Sequence, residues 1–552
     1  MTAPRIRVAG DSAIVVELGD GIDAAVNARA VAMAARLRAE APDGVRDVIA
    51  TFRSVAVFFD PRRVELETLK ARLLRLPAGP PAAAERPAID VPVEYGGDAG
   101  PDLEAVAAGA GLSAAEVVAR HAAREYRVFM VGFLPGFAYL GPVDASIAAP
   151  RLGSPRVRVP PGSVGIAGQQ TGIYPQASPG GWRIIGRTTT RPFDAHRVPP
   201  ALLAPGDRVR FVPVPPGTLG SFDAAWPATP TEAAPESVPG TVHGARAVSV
   251  VRPGLMTTVQ DDGRWGWQHE GVPVSGAMDR VSMRDANRAV GNAFMAAALE
   301  VTLGGVEVRL EHAGALAVSG ADLSATLDGR ALPLSTRVEH AAGSVVRFDA
   351  RRRGTRAYLA FDGGLDVTPC LGSRATDLTS GLGGVAGRRL RAGDRVPVAV
   401  PSPASRPAEP IALRPLPAGG ARVRVLPGPH GEWFPPAALD LLCRTRYEVS
   451  PDSNRMGYRL RGAEPLPREA REMVSDATCP GGLQVPPSGQ PILLTADRQV
   501  TGGYPIIATV ITADLPVVGQ LAPGDWIEFD TCTRADALAA LAREESSAGG
   551  RG

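Results

Sequence analysis

From Val128 the sequence reads VFMVGFLPGFAYLG, and from Pro150 it continues PRLGSPRVRVPPGSVGIAGQQTGIYPQASPGGWRIIGRT. Glycine at this density lets backbone N–H groups approach a ligand closely. Arg151, Arg156, Arg183 and Arg187 in the same stretch could hold anionic groups bidentately. Gln169, Gln170, Tyr174 and Ser178 add amide and hydroxyl groups. Glycines and arginines alone would read as barrel turns with a solvated face; the mixture tilts the reading toward a pocket. The second half carries similar clusters: Gln260-Asp261-Asp262-Gly263-Arg264, then Gly271–Asp279 with Asn287, Asn292 and Glu300. Gly372–Asp377, Ser453–Gly457 and Ala496-Asp497-Arg498 follow. They suit polar barrel networks and sites that orient a carboxylate or carbamoyl group equally well. No nucleophile–base pair such as GxSxG stands out by spacing. His121 falls near the end of a helical stretch, where a capping or core histidine is the commoner outcome than a functional one.

Composition narrows the chemistry further. Of 59 basic residues only Lys70 is a lysine. A Walker A loop, a Schiff base and a pyridoxal-phosphate enzyme each need a lysine, and Lys70 lies in an amphipathic helical stretch rather than a small β-domain that could carry biotin. Net charge is +2, with Arg interspersed among Asp and Glu, so nucleic acid is not expected. The seven histidines show no HxH or HExxH spacing, and the four cysteines no CxxC, so no metal site or disulfide framework is expected. No apolar run approaches 18 residues and MTAPRIRVAGD lacks a signal-peptide core; the chain reads as cytoplasmic, with no membrane partner.

Across 552 residues, with 63 glycines and 53 prolines, several turn-rich cores are expected. A Gly-Asp turn leading into an alternating strand recurs at Gly206-Asp207, Gly393-Asp394 and Gly524-Asp525. Each reads as the closing strand of a β-domain. Gln170–Pro175 also resembles Gln499–Pro505, as two related barrels would require. The first 85 residues read as strands over Ile6–Leu18, a helix over Ala24–Ala41, a hairpin over Val45–Phe59 and a helix over about Val64–Leu76: a ferredoxin-like α+β unit. Ser113 and Glu116 form a capping box. The expected division is an α+β domain (1–85), a barrel (89–215), a linker (216–245), two β-domains (246–400 and 420–535) and a tail (536–552). Further linkers are expected at 77–88 and 401–419.

At GFLPGFAYLG, PRVRVPPGSVGIAG and QTGIYPQASPGGWRIIGRT, residues 1–215 resemble the family called allophanate hydrolase subunit 1, Kip-type inhibitor or the B component of 5-oxoprolinase. At TTVQDDGRWGWQHEGVPVSGAMD, LGSRATD, SNRMGYRLRG and QVPPSGQPILLTADRQVTGGYPIIATVITADLPVVGQL, residues 246–535 resemble the partner family, allophanate hydrolase subunit 2, Kip-type antagonist or the C component of 5-oxoprolinase. The chain therefore resembles a natural B–C fusion. The resemblance implies a β-rich α+β fold: an N-terminal ferredoxin-like domain followed by cyclophilin-like β-barrel domains, with a pocket near the junction of the halves.

The resemblance also implies an activity. In bacterial 5-oxoprolinase, the B and C components use ATP, with Mg²⁺, to activate 5-oxoproline, and a separate LamB/YcsF-like A component completes ring opening to L-glutamate. The alternatives are a biotin-dependent carboxyltransferase of the urea carboxylase type, with biotin arriving on another protein, or a Kip-type regulator of a histidine kinase. A homo-oligomer is left open. Matched to the family motifs, the catalytic candidates are His121, Arg187, Arg264, Asp279, Arg374, Asn454 and Arg455. The substrate- or nucleotide-binding candidates are Gln170, Tyr174, Arg183, Gln484, Asp497, Thr501 and Tyr504. Two departures stand out: Gly168-Gln169-Gln170 where relatives often have Gly-Gly-Gln, and Ile506 where many carry Lys or Arg.

Overall fold

The computed structural model describes residues 4–76, 87–226, 246–402, 411 and 413–547. Most of two expected linkers (77–86 and 227–245), part of the third (403–410 and 412) and the end of the tail (548–552) lie outside the described residues. The N-terminal unit runs β1 (Arg5–Ala9), β2 (Ala13–Glu17), α1 (Ala24–Glu40), β3 (Val45–Ala50), β4 (Ser54–Phe59) and α2 (Leu66–Arg75). Its antiparallel sheet has the order β1-β2-β4-β3. A ferredoxin unit runs βαββαβ, whereas this chain runs ββαββα. Strand β2 is buried along its whole length because both faces are covered. Ile14 and Val16 face the helices with Leu37 and Leu69, while Ala13 and Val15 face Ala477, Val500 and Ile506 of the C-terminal barrel.

Two closed seven-stranded barrels follow the same plan. The first is built from β5 (Ile89–Tyr95), β6 (Glu125–Val131), β7 (Ala138–Gly141), β9 (Ser163–Ala167), β10 (Gln170–Ile173), β12 (Arg183–Arg187) and β13 (Arg208–Val214), with β8 (Arg156–Val159) and β11 (Ser178–Gly180) forming a side arm. Helices α3 (Leu103–Ala110) and α4 (Ala114–Ala122) pack on it, and the Ser113–Glu116 capping box opens α4. A short helix, α5 (Phe222–Ala225), follows β13.

The second barrel is built from β25 (Gly420–Pro427), β26 (Tyr447–Val449), β27 (Gly457–Arg461), β29 (Gly482–Gln484), β30 (Ile492–Leu494), β32 (Ile506–Val510) and β33 (Trp526–Thr531), with side arm β28 (Asp476–Ala477) and β31 (Thr501–Gly502). Helices α7 (Ala437–Arg444), α8 (Leu515–Gly519) and α9 (Arg534–Ser547) accompany it. Around each barrel the strands are ordered alike, and only the first and last pair in parallel.

The expected repeat is therefore present, but its register differs from Gln170–Pro175 against Gln499–Pro505. Gln170 opens β10, whose counterpart is β30, whereas Gln499 precedes β31, the counterpart of β11. The equivalent segments are 176–185 (QASPGGWRII) and 499–507 (QVTGGYPII), each running from side arm into barrel.

Between the barrels lies a β-sandwich. One sheet holds β14 (Ala247–Pro253), β17 (Val306–Leu310), β19 (Thr326–Leu327), β20 (Arg330–Ala331), β22 (Val345–Phe348) and β24 (Arg395–Pro397). The other holds β15 (Met256–Gln260), β16 (Ala298–Thr302), β18 (Gly314–Asp322), β21 (Val338–His340) and β23 (Arg353–Phe361), with α6 (Arg280–Ala289) against it.

The three Gly-Asp phrases do lead into β13, β24 and β33, and one device explains all three. The aspartate carboxylate accepts the backbone N–H three residues earlier: Ala204 to Asp207 at 2.8 Å, Arg391 to Asp394 at 2.7 Å and Ala522 to Asp525 at 2.8 Å. Asp394 is also held bidentately by the buried Arg388 guanidinium at 2.7 and 2.9 Å. Replacing Asp394 by Ala strands that charge and should cost about 3–5 kcal/mol. Asp207→Ala, at a half-buried turn, should cost only about 1 kcal/mol. Thermal denaturation checks the order: Asp394→Ala must melt well below Asp207→Ala.

Candidate functional site

Three parts of the chain enclose one cleft of about 130 Å³. The N-terminal sheet contributes Arg46 and residues 58–62. The sandwich contributes Trp265, Met278, Arg280, Val281 and Arg284. The second barrel contributes Pro480, Gly481, residues 494–496, Arg498 and α8, joined by Leu541 and Glu544 of α9. Five arginines line it. Two guanidiniums lie over the Trp265 ring, Arg46 at 5.1 Å and Arg280 at 5.5 Å from its centroid.

The positive charge is only partly balanced. Arg46 and Arg62 share Asp60 at 2.6 and 2.9 Å, and Arg284 pairs with Asp262 at 2.6 Å. Burial raises the Asp60 carboxyl, but the Arg62 hydrogen bond and the Arg46 charge outweigh it and hold it below the carboxylate range. Arg498 donates to the Gln268 side-chain oxygen at 2.7 Å rather than to a carboxylate. Arg280 has no hydrogen bond or ion pair among the described residues. Burial lowers its pKa, and Arg46 and Arg284 push it the same way while Asp262 opposes them. Burial pulls Arg498 down to about 10. The buried Nε of Arg498 and indole N–H of Trp265 also lack an acceptor. Unsatisfied donors and mutually repelling cations around one opening make an anion receptor.

Directly behind the cleft is a buried polar network. Arg455 is bidentate to Asp497 at 2.8 and 3.0 Å, donates to the Gly276 carbonyl at 2.6 Å and pairs with Glu300. Burial opposes its charge, but Asp497 and Glu300 raise the guanidinium pKa beyond its ordinary value. Glu300 also accepts from the Tyr358 hydroxyl at 2.7 Å and the Met278 N–H at 2.9 Å. Asp279 caps α6 through Ser282 and accepts from Gln520 at 2.8 Å. A second relay joins the halves: Asp47 accepts from Gly266 and Gln268, and Gln268 in turn accepts from Arg498.

None of the fourteen side chains expected from the sequence lines this cleft, but Asp279, Arg455 and Asp497 meet in the network behind it. Arg264 and Arg374 bind the loop 366–377 instead: Arg264 donates to the Cys370 and Ala375 carbonyls, and Arg374 to the Val367 carbonyl and Asp366. Asn454 is exposed, and its side-chain oxygen accepts the Met456 N–H in the turn that presents Arg455. Thr501 is at the seam between barrels, accepting the Phe133 N–H at 2.9 Å. Gln484 is buried beside the Tyr504 carbonyl, and Tyr504 itself is 40% exposed.

The first-barrel candidates lie away from the cleft. Tyr174 is buried against Phe137 and Trp182. Gln170 opens β10 and pairs with Ala167. Arg183 and Arg187 donate to the Pro150 and Pro161 carbonyls, with Arg187 over Phe222. His121 has no exposed surface, bridges Tyr95 and Thr171 and stacks on Phe211 at 4.7 Å. Burial lowers it to about 3, so it packs as a neutral core imidazole. Two lining residues outside the candidate set, Arg280 and Arg498, directly follow two within it, Asp279 and Asp497, and Arg498 stands in the Ala496-Asp497-Arg498 cluster already noted in the sequence. Each acid turns into the network and the next arginine faces the cleft. Among the described residues no group of three His, Cys, Asp or Glu could hold a metal.

Residues 270–531 match the carboxyltransferase domain, subdomains A and B, and residues 4–203 match its subdomains C and D. Over 293 residues the chain is 41% identical to the C component of 5-oxoprolinase from Escherichia coli, covering 53% of this chain and 94% of that protein. Over 222 residues it is 41% identical to the B component of 5-oxoprolinase from Bacillus subtilis, covering 38% of this chain and 92% of that protein. The crystal structure of TTHA0988 superposes with a TM-score of 0.82 at 37% identity, covering 94% of this chain and 99% of that one.

The acids beside the cleft give a pH test. Burial raises Asp285 on α6 to about 6, with Arg414 and Arg288 opposing and Asp279 and Glu544 assisting. Its folded pKa exceeds its unfolded one, so between pH 4 and 6 the native state binds more protons and stability falls as pH rises. Asp285→Asn should therefore stabilise the protein by about 2 kcal/mol at pH 8 and have little effect at pH 4. Melting curves at the two pH values check the sign.

Proposed function

Because the chain belongs to the carboxyltransferase-domain family that includes the B and C components of 5-oxoprolinase, we propose that it is a B–C component of such an enzyme, activating 5-oxoproline with ATP for ring opening by a separate LamB/YcsF-like A component. One observation carries the reading. A cleft with an unpaired guanidinium, Arg280, beside Trp265 exists only where residues matching both components meet. 5-Oxoproline brings a carboxylate and ATP a polyphosphate, and both need cationic partners.

In this reading the lactam oxygen attacks the γ-phosphorus. An O–P bond forms, the β–γ bridging O–P bond breaks and ADP leaves with the electron pair. At the A component one water adds to the activated ring carbon and the C–N bond breaks, leaving the amine on an acyl phosphate. A second water attacks that carbon, the C–O bond to phosphorus breaks, and glutamate and phosphate result. With Lys70 as the chain's one lysine, ion-paired with Glu67 on α2, phosphate charge falls to Arg280, Arg498 and Arg46. Their planar forks and the Trp265 N–H would hold the transferring group in line, so positioning and charge neutralisation supply most of the acceleration. Mg²⁺ would arrive on the nucleotide's phosphates rather than in a protein cage. The reaction would run in the cytoplasm.

A carboxyltransferase reading is favoured by the family's description and by the same arginines, which would also suit a carboxylated biotin brought by another protein. Nothing in the cleft favours a kinase-binding regulator.

The test is ATP hydrolysis by purified protein with and without 5-oxoproline and a homologue of the A component. Stimulation by 5-oxoproline is expected; Arg280→Ala should lower it about 100-fold, while Lys70→Arg leaves it intact. Absence of ATP turnover above background, with carboxyl transfer from carboxybiotin instead, contradicts the reading.

A further inference from the structure

The cleft is chemically two-sided. Its arginines gather around Trp265, but the wall formed by α6, α8 and α9 is apolar: Met278, Val281, Leu515, Val518 and Leu541, with Glu544 as the carboxylate among them. A phosphoryl group or a small carboxylate has no use for such a wall. A planar base does, since it gains from apolar contact on its faces and needs hydrogen bonds only at its edge. Glu544 supplies that edge contact. One oxygen accepts from Arg414 at 3.2 Å, and the other has no hydrogen-bond partner among the described residues. A carboxylate oxygen can only accept, so it selects an exocyclic amine and repels a carbonyl. Arg284, one turn along α6 from Arg280, links the two sides, because its charge acts on Glu544 while its side chain lines the cleft.

We propose that the α6–α8–α9 wall is the base subsite for the nucleotide, with Glu544 accepting the adenine amine while the phosphates lie at Arg280 and Arg498. This rests on the ATP reading above and goes further by naming which base is taken and by which residue. Helix α9 then has a purpose beyond packing. It is anchored by Arg534, which donates to the Asp11 carbonyl at 2.9 Å and lies over Phe59, so the N-terminal unit holds the helix that carries Glu544.

The test compares ATP with ITP, which carries a carbonyl in place of the amine, in direct binding and in 5-oxoproline-dependent hydrolysis. The parent protein should prefer ATP roughly 10- to 100-fold, the size of a charge-assisted hydrogen bond. Glu544→Gln presents an amide that can accept from the amine or donate to the carbonyl, so the preference should collapse to within about threefold. Val518→Trp, which fills the wall, should raise the KM for both nucleotides without altering 5-oxoproline binding. Thermal melting of each variant confirms folding. If ATP drives 5-oxoproline turnover but Glu544→Gln keeps the parent's ATP preference, the subsite is wrong and the ATP reading stands. If neither nucleotide binds, both fall.

Discussion

The arrangement depends on one buried guanidinium. Arg455 lies in the β26–β27 loop of the second barrel, yet its partners Glu300 and Gly276 belong to the sandwich and Asp497 to its own barrel. A charge removed from water this thoroughly is tolerable only if every N–H finds an acceptor. Two of the acceptors, Gly276 and Asp497, come from segments 276–279 and 496–498, which continue into the cleft as Arg280 and Arg498. Satisfying Arg455 therefore sets the spacing of the groups that face a ligand. Asp497→Ala would leave a buried cation half-paired and shift both walls together.

The N-terminal half is tied in by a second constraint of the same kind. Asp47 is buried and collects N–H groups from Gly266 and Gln268, fixing the segment that carries Trp265. Gln268 passes the constraint to Arg498. Around this contact Thr51 and Ser54 reach Asp476, and Asp11 reaches Thr512, so the N-terminal sheet is welded to the second barrel through hydrogen bonds as well as apolar contact. Joining both halves in one polypeptide makes that seam intramolecular, which favours a site composed from both.

Local chemistry made much of the fold legible. The strand and helix order of the N-terminal unit was legible, Ser113 and Glu116 marked α4, and the Gly-Asp phrases marked closing strands because the aspartate caps its own turn. The repeat was legible in kind but not in register, since Gln-Thr-Gly and Thr-Gly-Gly strings look alike while only strand order distinguishes β10 from β31. The network residues Asp279, Arg455 and Asp497 were reached through their match to the family motifs. The cleft was not, because it is assembled from Arg46, Trp265, Arg280 and Arg498, which come from segments far apart in the chain, and a composite site leaves no local pattern. The scarcity of lysine keeps its meaning within the proposed reading: any phosphate bound at this cleft would meet guanidinium forks.

Phosphoryl transfer to the lactam is tested most directly by the fate of oxygen. 5-Oxoproline labelled with ¹⁸O at the ring carbonyl, turned over with ATP and the A component, should deliver its label to inorganic phosphate, because the C–O bond breaks after the O–P bond has formed. Label retained entirely in glutamate, with none in phosphate, would contradict activation at that oxygen.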